Sequence, residues 1–122
     1  MADGGMVGLE IEERDEVVIA RLTGELDIAE ATFTGEAIAA AVSTARLGLV
    51  VDCSKLEFID SSGIAMLFSL ARRLASRRQS MRVAADPEGP VARVLEIVEF
   101  ERAAPVVAEP EAAITDIQSP PA

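Results

Sequence analysis

The sequence predicts an α/β domain, on three observations. Short apolar runs with strand character alternate with stretches of helical periodicity along the chain. The connections between them are short. One run, Leu47-Gly48-Leu49-Val50-Val51, is apolar on both faces, as a central strand covered on each side requires.

The elements follow in order. Leu9 to Arg14 and Val17 to Leu22 read as two strands joined by a tight polar turn around Asp15, with Val18, Ala20 and Leu22 on one face. Gly24 is expected to end the second. Asp27 is a candidate N-cap, with Glu30 three residues on as in a capping box, and opens a helix to about Ala45. Phe33, Ile38, Ala41 and Val42 are expected to face inward on it. After the central strand, Phe58-Ile59-Asp60-Ser61-Ser62-Gly63 leads into the strongest helix, about Ser62 to Gln79. Ile64, Leu67, Phe68, Ala71, Leu74 and Ala75 form its apolar stripe. Met81 to Ala84 is a strand, Gly89 to Val98 a helix and Ala104 to Val107 a strand. Pro110 suits the first turn of a last helix ending near Ile117. The order is ββαβαβαβα. Residues 1–8 and 118–122 are expected to be flexible ends around one domain spanning 9–117.

Composition narrows the function. At 122 residues the chain is one domain, long enough to bury an aliphatic core without staples. It has four Phe and no Trp or Tyr, so it offers almost no platform for stacking bases. The net charge of −10 repels nucleic acid and anionic membranes, so neither is expected as a partner. Histidine is absent, which removes the usual general base near neutral pH and the commonest metal ligand. With one cysteine besides, no zinc site and no cofactor are expected. Cys53 sits in an apolar run and reads as a buried small residue in a reducing compartment. There is no secretory leader pattern, and no apolar stretch approaches the roughly 18 residues that cross a bilayer. The expected location is the cytoplasm.

Asp60-Ser61-Ser62-Gly63 is the informative site. On the plainer reading it only starts a helix, with Asp and Ser capping exposed amides and Gly easing the turn. On the functional reading Ser61 lies outside the end of a strand, where α/β proteins place their sites. A phosphate there adds about −1.5 to −2 charges and meets free amides at the helix N-terminus.

Leu22-Thr23-Gly24-Glu25-Leu26-Asp27 followed by Phe58-Ile59-Asp60-Ser61-Ser62-Gly63-Ile64, at this spacing and in this element order, resembles the anti-sigma factor antagonist (anti-anti-sigma factor) family of STAS domains. The likeness runs from about Leu9 to Ile117. It implies a mixed β-sheet packed by about four helices. It also implies that Ser61 is phosphorylated by a partner that is both anti-sigma factor and serine kinase, and reset by a serine phosphatase. Unphosphorylated, such a domain holds the anti-sigma factor and frees a sigma factor; phosphorylated, it lets go. Glu99 departs from the pattern, standing where many relatives have glycine. The alternative role is that of a scaffold subunit in a stress-signalling or lipid-transport complex.

The expected partner-binding residues are Asp27, Asp60, Ser61, Ser62, Gly63, Met66 and Leu70. Asp27 follows a strand that neighbours the one before Asp60, so it is expected beside the switch as well as capping its own helix. Met66 and Leu70 lie off the core stripe, roughly 200–240° from Ile64. They are either covered by another element or form an exposed apolar patch next to Ser61, as an interface centre needs. Arg72, Arg73, Arg77 and Arg78 read as a solvated face near a helix C-terminus. An enzyme would use Ser61 or Ser62 as nucleophile with Lys55, the lone lysine, as base. Without histidine, no catalytic activity is expected.

Overall fold

The computed structural model describes residues 7–119. Of the expected flexible ends, 1–6 and 120–122 lie outside the described residues, while Val7 and Gly8 belong to the first strand and Gln118 to the last helix. The elements are β1 (Val7–Arg14), β2 (Val17–Leu26), α1 (Ile28–Val42), β3 (Gly48–Ile59), α2 (Ser61–Ser76), β4 (Ser80–Ala84), α3 (Pro90–Ile97), β5 (Val106–Val107) and α4 (Pro110–Gln118). The predicted order ββαβαβαβα is the observed one, with a single 3-10 turn, Phe100–Arg102, before β5.

The strands form one sheet in the order β1-β2-β3-β4-β5. β1 runs antiparallel to β2 and every other pairing is parallel, so the sheet is mixed. Asp15 and Glu16 both take positive φ (50° and 71°), and two such residues form the tight hairpin turn whose twist matches its strands. Gly24 does not end β2. It takes φ 82° at an irregularity in register, and the strand runs on to Leu26. β3 likewise outlasts its apolar run, and its far half pairs with β2 alone. These extensions bring Leu26 and Ile59 level as pairing partners. The loops that follow therefore emerge side by side.

The larger core lies between one face of the sheet and α1, α2 and α3. It takes Val18, Ala20 and Leu22 from β2, Leu49, Val51 and Cys53 from β3, and Leu67, Leu70 and Leu74 from α2. Fully burying each such leucine contributes about 1.5–3 kcal/mol. On the opposite face α4 covers Val17, Ile19 and Val50 with Ala113, Ile114 and Ile117. That second layer explains why the start of β3 is apolar on both sides.

One face assignment is corrected, and one that the sequence left open is decided. Phe33 is not inward: it is 75% exposed, and Thr34 is buried instead. Met66 and Leu70 are not an exposed patch: both are buried, at 8% and 3% exposure. The sheet covers one side of α2 and α1 covers the adjacent side, so the buried face is wider than the stripe (from which Ala75 is excluded). Gly35 permits the close approach, since a Cβ there would lie 2.7 Å from Met66 Cγ. Glu99 adopts the left-handed conformation at φ 57°, which is the geometry a glycine would take without strain.

Candidate functional site at the start of the second helix

The site is assembled where β2 and β3 end together. The amide of Asp60 donates to the carbonyl of Leu26 at 3.2 Å, tying the two loops across the sheet. Asp27 caps α1, its Oδ1 accepting from the Ala29 amide at 3.1 Å. The capping box is incomplete, because among the described residues Glu30 returns no side-chain bond to Asp27.

Asp60 carries the greater share. Its Oδ1 accepts from the amides of Ser62 at 2.9 Å and Gly63 at 3.1 Å, capping α2. Its Oδ2 accepts from the amide of Ile28 at 3.1 Å, the first residue of α1. One carboxylate therefore closes two helix N-termini, each of which favours a negative charge. Of the amides at the start of α2, Asp60 already occupies those of Ser62 and Gly63, while that of Ser61 has no acceptor among the described residues.

Ser61 is the first residue of α2 and is exposed. Its hydroxyl makes no side-chain hydrogen bond among the described residues. Ser62 is half-buried and lines a shallow groove of about 370 Å³ between α1 and α2, together with Ile28, Thr32, Ala65 and Arg73. Gly63 points into the core. A Cβ there would lie 2.6 Å from Ile59 Cγ1 and 3.0 Å from Leu26 Cγ, so glycine lets the start of α2 sit on the strand ends. Of the residues expected to gather, Asp27, Asp60, Ser61 and Ser62 share one edge of the domain. Gly63, Met66 and Leu70 support it from within.

Two exposed apolar side chains near this edge escaped the sequence reading. Ile28 is 76% exposed on the residue that Asp60 caps, and Phe58 is half-exposed on the last stretch of β3. No helical spacing marks Ile28 as exposed, because it stands at the first position of α1, before the periodic pattern begins. The four arginines Arg72, Arg73, Arg77 and Arg78 are exposed, as expected. Cys53 is buried, as expected, and burial pushes its thiol up to about 12, with the charge of Asp52 adding to the effect. Among the described residues, no cluster of three His, Cys, Asp or Glu is arranged to hold a metal ion, and no helix is long and apolar enough to cross a membrane.

The five-stranded mixed sheet and its helices, in this order, make up the fold of a STAS domain. The STAS domain family matches residues 8–113, and the chain belongs to that family. An anti-sigma factor antagonist from Mycobacterium paratuberculosis superposes with a TM-score of 0.86 at 23% identity, over 98% of this chain and 100% of that one. The anti-sigma factor antagonist SpoIIAA in its unphosphorylated form gives 0.73 at 23% identity, over 93% and 100%. The Bacillus cell fate determinant SpoIIAA in its phosphorylated form gives 0.67 at 25% identity, over 90% and 99%. No curated protein matches the chain in sequence.

Proposed function

We propose that this domain is an anti-sigma factor antagonist whose grip on an anti-sigma factor is switched by phosphorylation of Ser61. The observation that carries the reading is the placement of an exposed hydroxyl at the first position of α2, beside the Asp27 and Asp60 carboxylates. A kinase reaches such a hydroxyl without unfolding anything. The phosphate adds about −1.5 to −2 charges to an edge that already carries two. Any partner that buries this edge must then desolvate the added charge, which costs several kcal/mol without a compensating cation. The unphosphorylated edge, with Ile28 and Phe58 exposed beside the polar groups, is the form suited to a contact.

The domain is on this reading the substrate of a partner kinase and a separate phosphatase, and itself catalyses nothing. A Ser–Lys nucleophile finds no support. Lys55 lines a different groove with Thr23 and Asp52, and the strand from Lys55 to Ile59 alone spans about 13 Å.

The test compares Ser61→Ala and Ser61→Asp with wild type against the purified anti-sigma factor of the same cell. Ser61→Ala should bind like wild type and gain no phosphate by mass spectrometry. Ser61→Asp should bind at least about ten-fold more weakly, a loss of about 1.4 kcal/mol. Its folding stability should stay within about 1 kcal/mol, since the helix dipole favours the charge while Asp27 and Asp60 oppose it. Full phosphorylation of the Ala variant, or equal binding by all three, overturns the switch. Equal binding with no phosphate on any of them is the scaffold result.

A further inference from the structure

We infer that the outer face of α1 is a second protein-binding surface, centred on Phe33 and built for a partner that presents an apolar pocket rimmed by basic side chains. A helix packed on one side normally keeps a polar outer face, and one apolar all round is normally buried. α1 is apolar around most of its circumference, yet it is packed only on its inward face and on the flank against α2. Its inward face takes Ala31, Thr34, Ile38 and Val42, and its flank takes α2. The remaining face carries Ala29, Phe33, Ala37 and Ala40, which fall within about 80° of one another at helical spacing. Phe33 stands 75% exposed among alanines, a large anchor on a flat surround. Beyond the helix, Ile11 continues the apolar surface. It pairs with Ala20, so it projects from the α1 side of the sheet, and it is 43% exposed on the edge strand.

Charge selects the occupant. Glu30 and Glu36 flank the stripe on either side, and α1 contains no lysine or arginine. On the edge strand Glu13 pairs with Val18, so it projects from the same side of the sheet as Ile11 and adds a third acidic group. A second copy would bring the same acidic flanks face to face on a chain of net charge −10. A partner with lysine or arginine around an apolar recess meets both features. Phe33 and the alanines of the stripe point away from the groove that Ser62 lines, with Glu36 on the border between them, so this face does not depend on the switch reading.

The probe is an amphipathic helical peptide of leucine and lysine, about 14 residues or four turns long, with a leucine–glutamate peptide as control. Backbone amide shifts of the full-length domain are followed on titration. The expected result is that the lysine peptide perturbs Ala29 to Ala40 and Ile11 while the glutamate peptide perturbs nothing. Phe33→Ala should weaken binding at least about ten-fold, as loss of a central anchor does. Its melting temperature should not move, because the side chain is mostly solvated. Glu30→Lys with Glu36→Lys should reverse the peptide preference, and Ser61→Asp should leave binding unchanged. Shifts mapping outside α1, equal binding of both peptides, or an unaffected Phe33→Ala variant overturn the inference. So does a Ser61→Asp variant that no longer binds, which would assign the face to the switch edge. A dimer in sedimentation that Phe33→Ala dissociates would assign it to a second copy instead.

Discussion

The carboxylate of Asp60 accepts a hydrogen bond from the amide of Ile28, 3.1 Å away and 32 residues earlier in the chain. Its other oxygen caps its own helix through Ser62 and Gly63. The starts of α1 and α2 are thus held by one side chain, immediately before Ser61. Asp60→Ala should lower the unfolding free energy by about 2 kcal/mol, the upper end for loss of a cap, because amides on two helices lose their acceptor. Asp60→Asn keeps one acceptor oxygen and should cost about half as much. Urea unfolding gives both values, and faster hydrogen exchange at the Ile28 amide in the Asn variant identifies the cross-helix bond. An Asn variant as stable as wild type, with Ile28 equally protected, would show that this bond contributes nothing.

Met66 lies under α1, against Gly35. Met66→Glu should therefore cost at least about 3 kcal/mol or abolish folding, since an unpaired carboxylate would be buried. Met66→Leu, close in volume, should cost less than about 1.5 kcal/mol. Circular dichroism melts of the two variants decide it. A stable Glu variant would place Met66 at the surface after all.

Glu99 holds φ 57° in the turn after α3. A left-handed conformation costs a residue with a Cβ about 1–2 kcal/mol. Glycine escapes that cost but gives up more chain entropy, about 0.5–1 kcal/mol. The Glu99–Arg102 ion pair is solvent-exposed and contributes little. Glu99→Gly should consequently stabilise the domain by about 0.5–1 kcal/mol, read as a higher urea midpoint at unchanged slope. A destabilised Gly variant would mean that the side chain contributes more than its backbone strain costs.

Cys53 is buried in β3, and its thiol is raised from 9.0 to about 12, chiefly by burial and then by Asp52. The folded protein keeps a proton that the unfolded chain releases, so this contribution is full below pH 9.0 and is lost as pH rises toward 12. Ellman's reagent at pH 8 should not label the native domain and should label it promptly in urea. Prompt labelling without denaturant would show that the strand opens locally.

The element order and the position of the serine before a strong helix were legible in the sequence. Each rests on local pattern: strand-forming runs, helical spacing at Ile64, Leu67, Ala71 and Leu74, and turn residues between them. What local pattern cannot carry is which other element covers a face. Phe33 and Ile38 stand about 140° apart on α1 and are equally apolar, so the pattern does not say which of the two faces the core. Met66 lies off the stripe of α2, yet α1 covers it because Gly35 lets the two helices approach. Gly24 looks like a strand end but is a bulge that β3 continues to pair across. The bond from Asp60 to Ile28 exists only because parallel β2 and β3 finish level at Leu26 and Ile59. Sequence by itself determined the elements and the place of Ser61. Which surfaces stay exposed, and which carboxylate joins the two helices, were decided by tertiary packing, because those outcomes depend on distances between residues far apart in the chain.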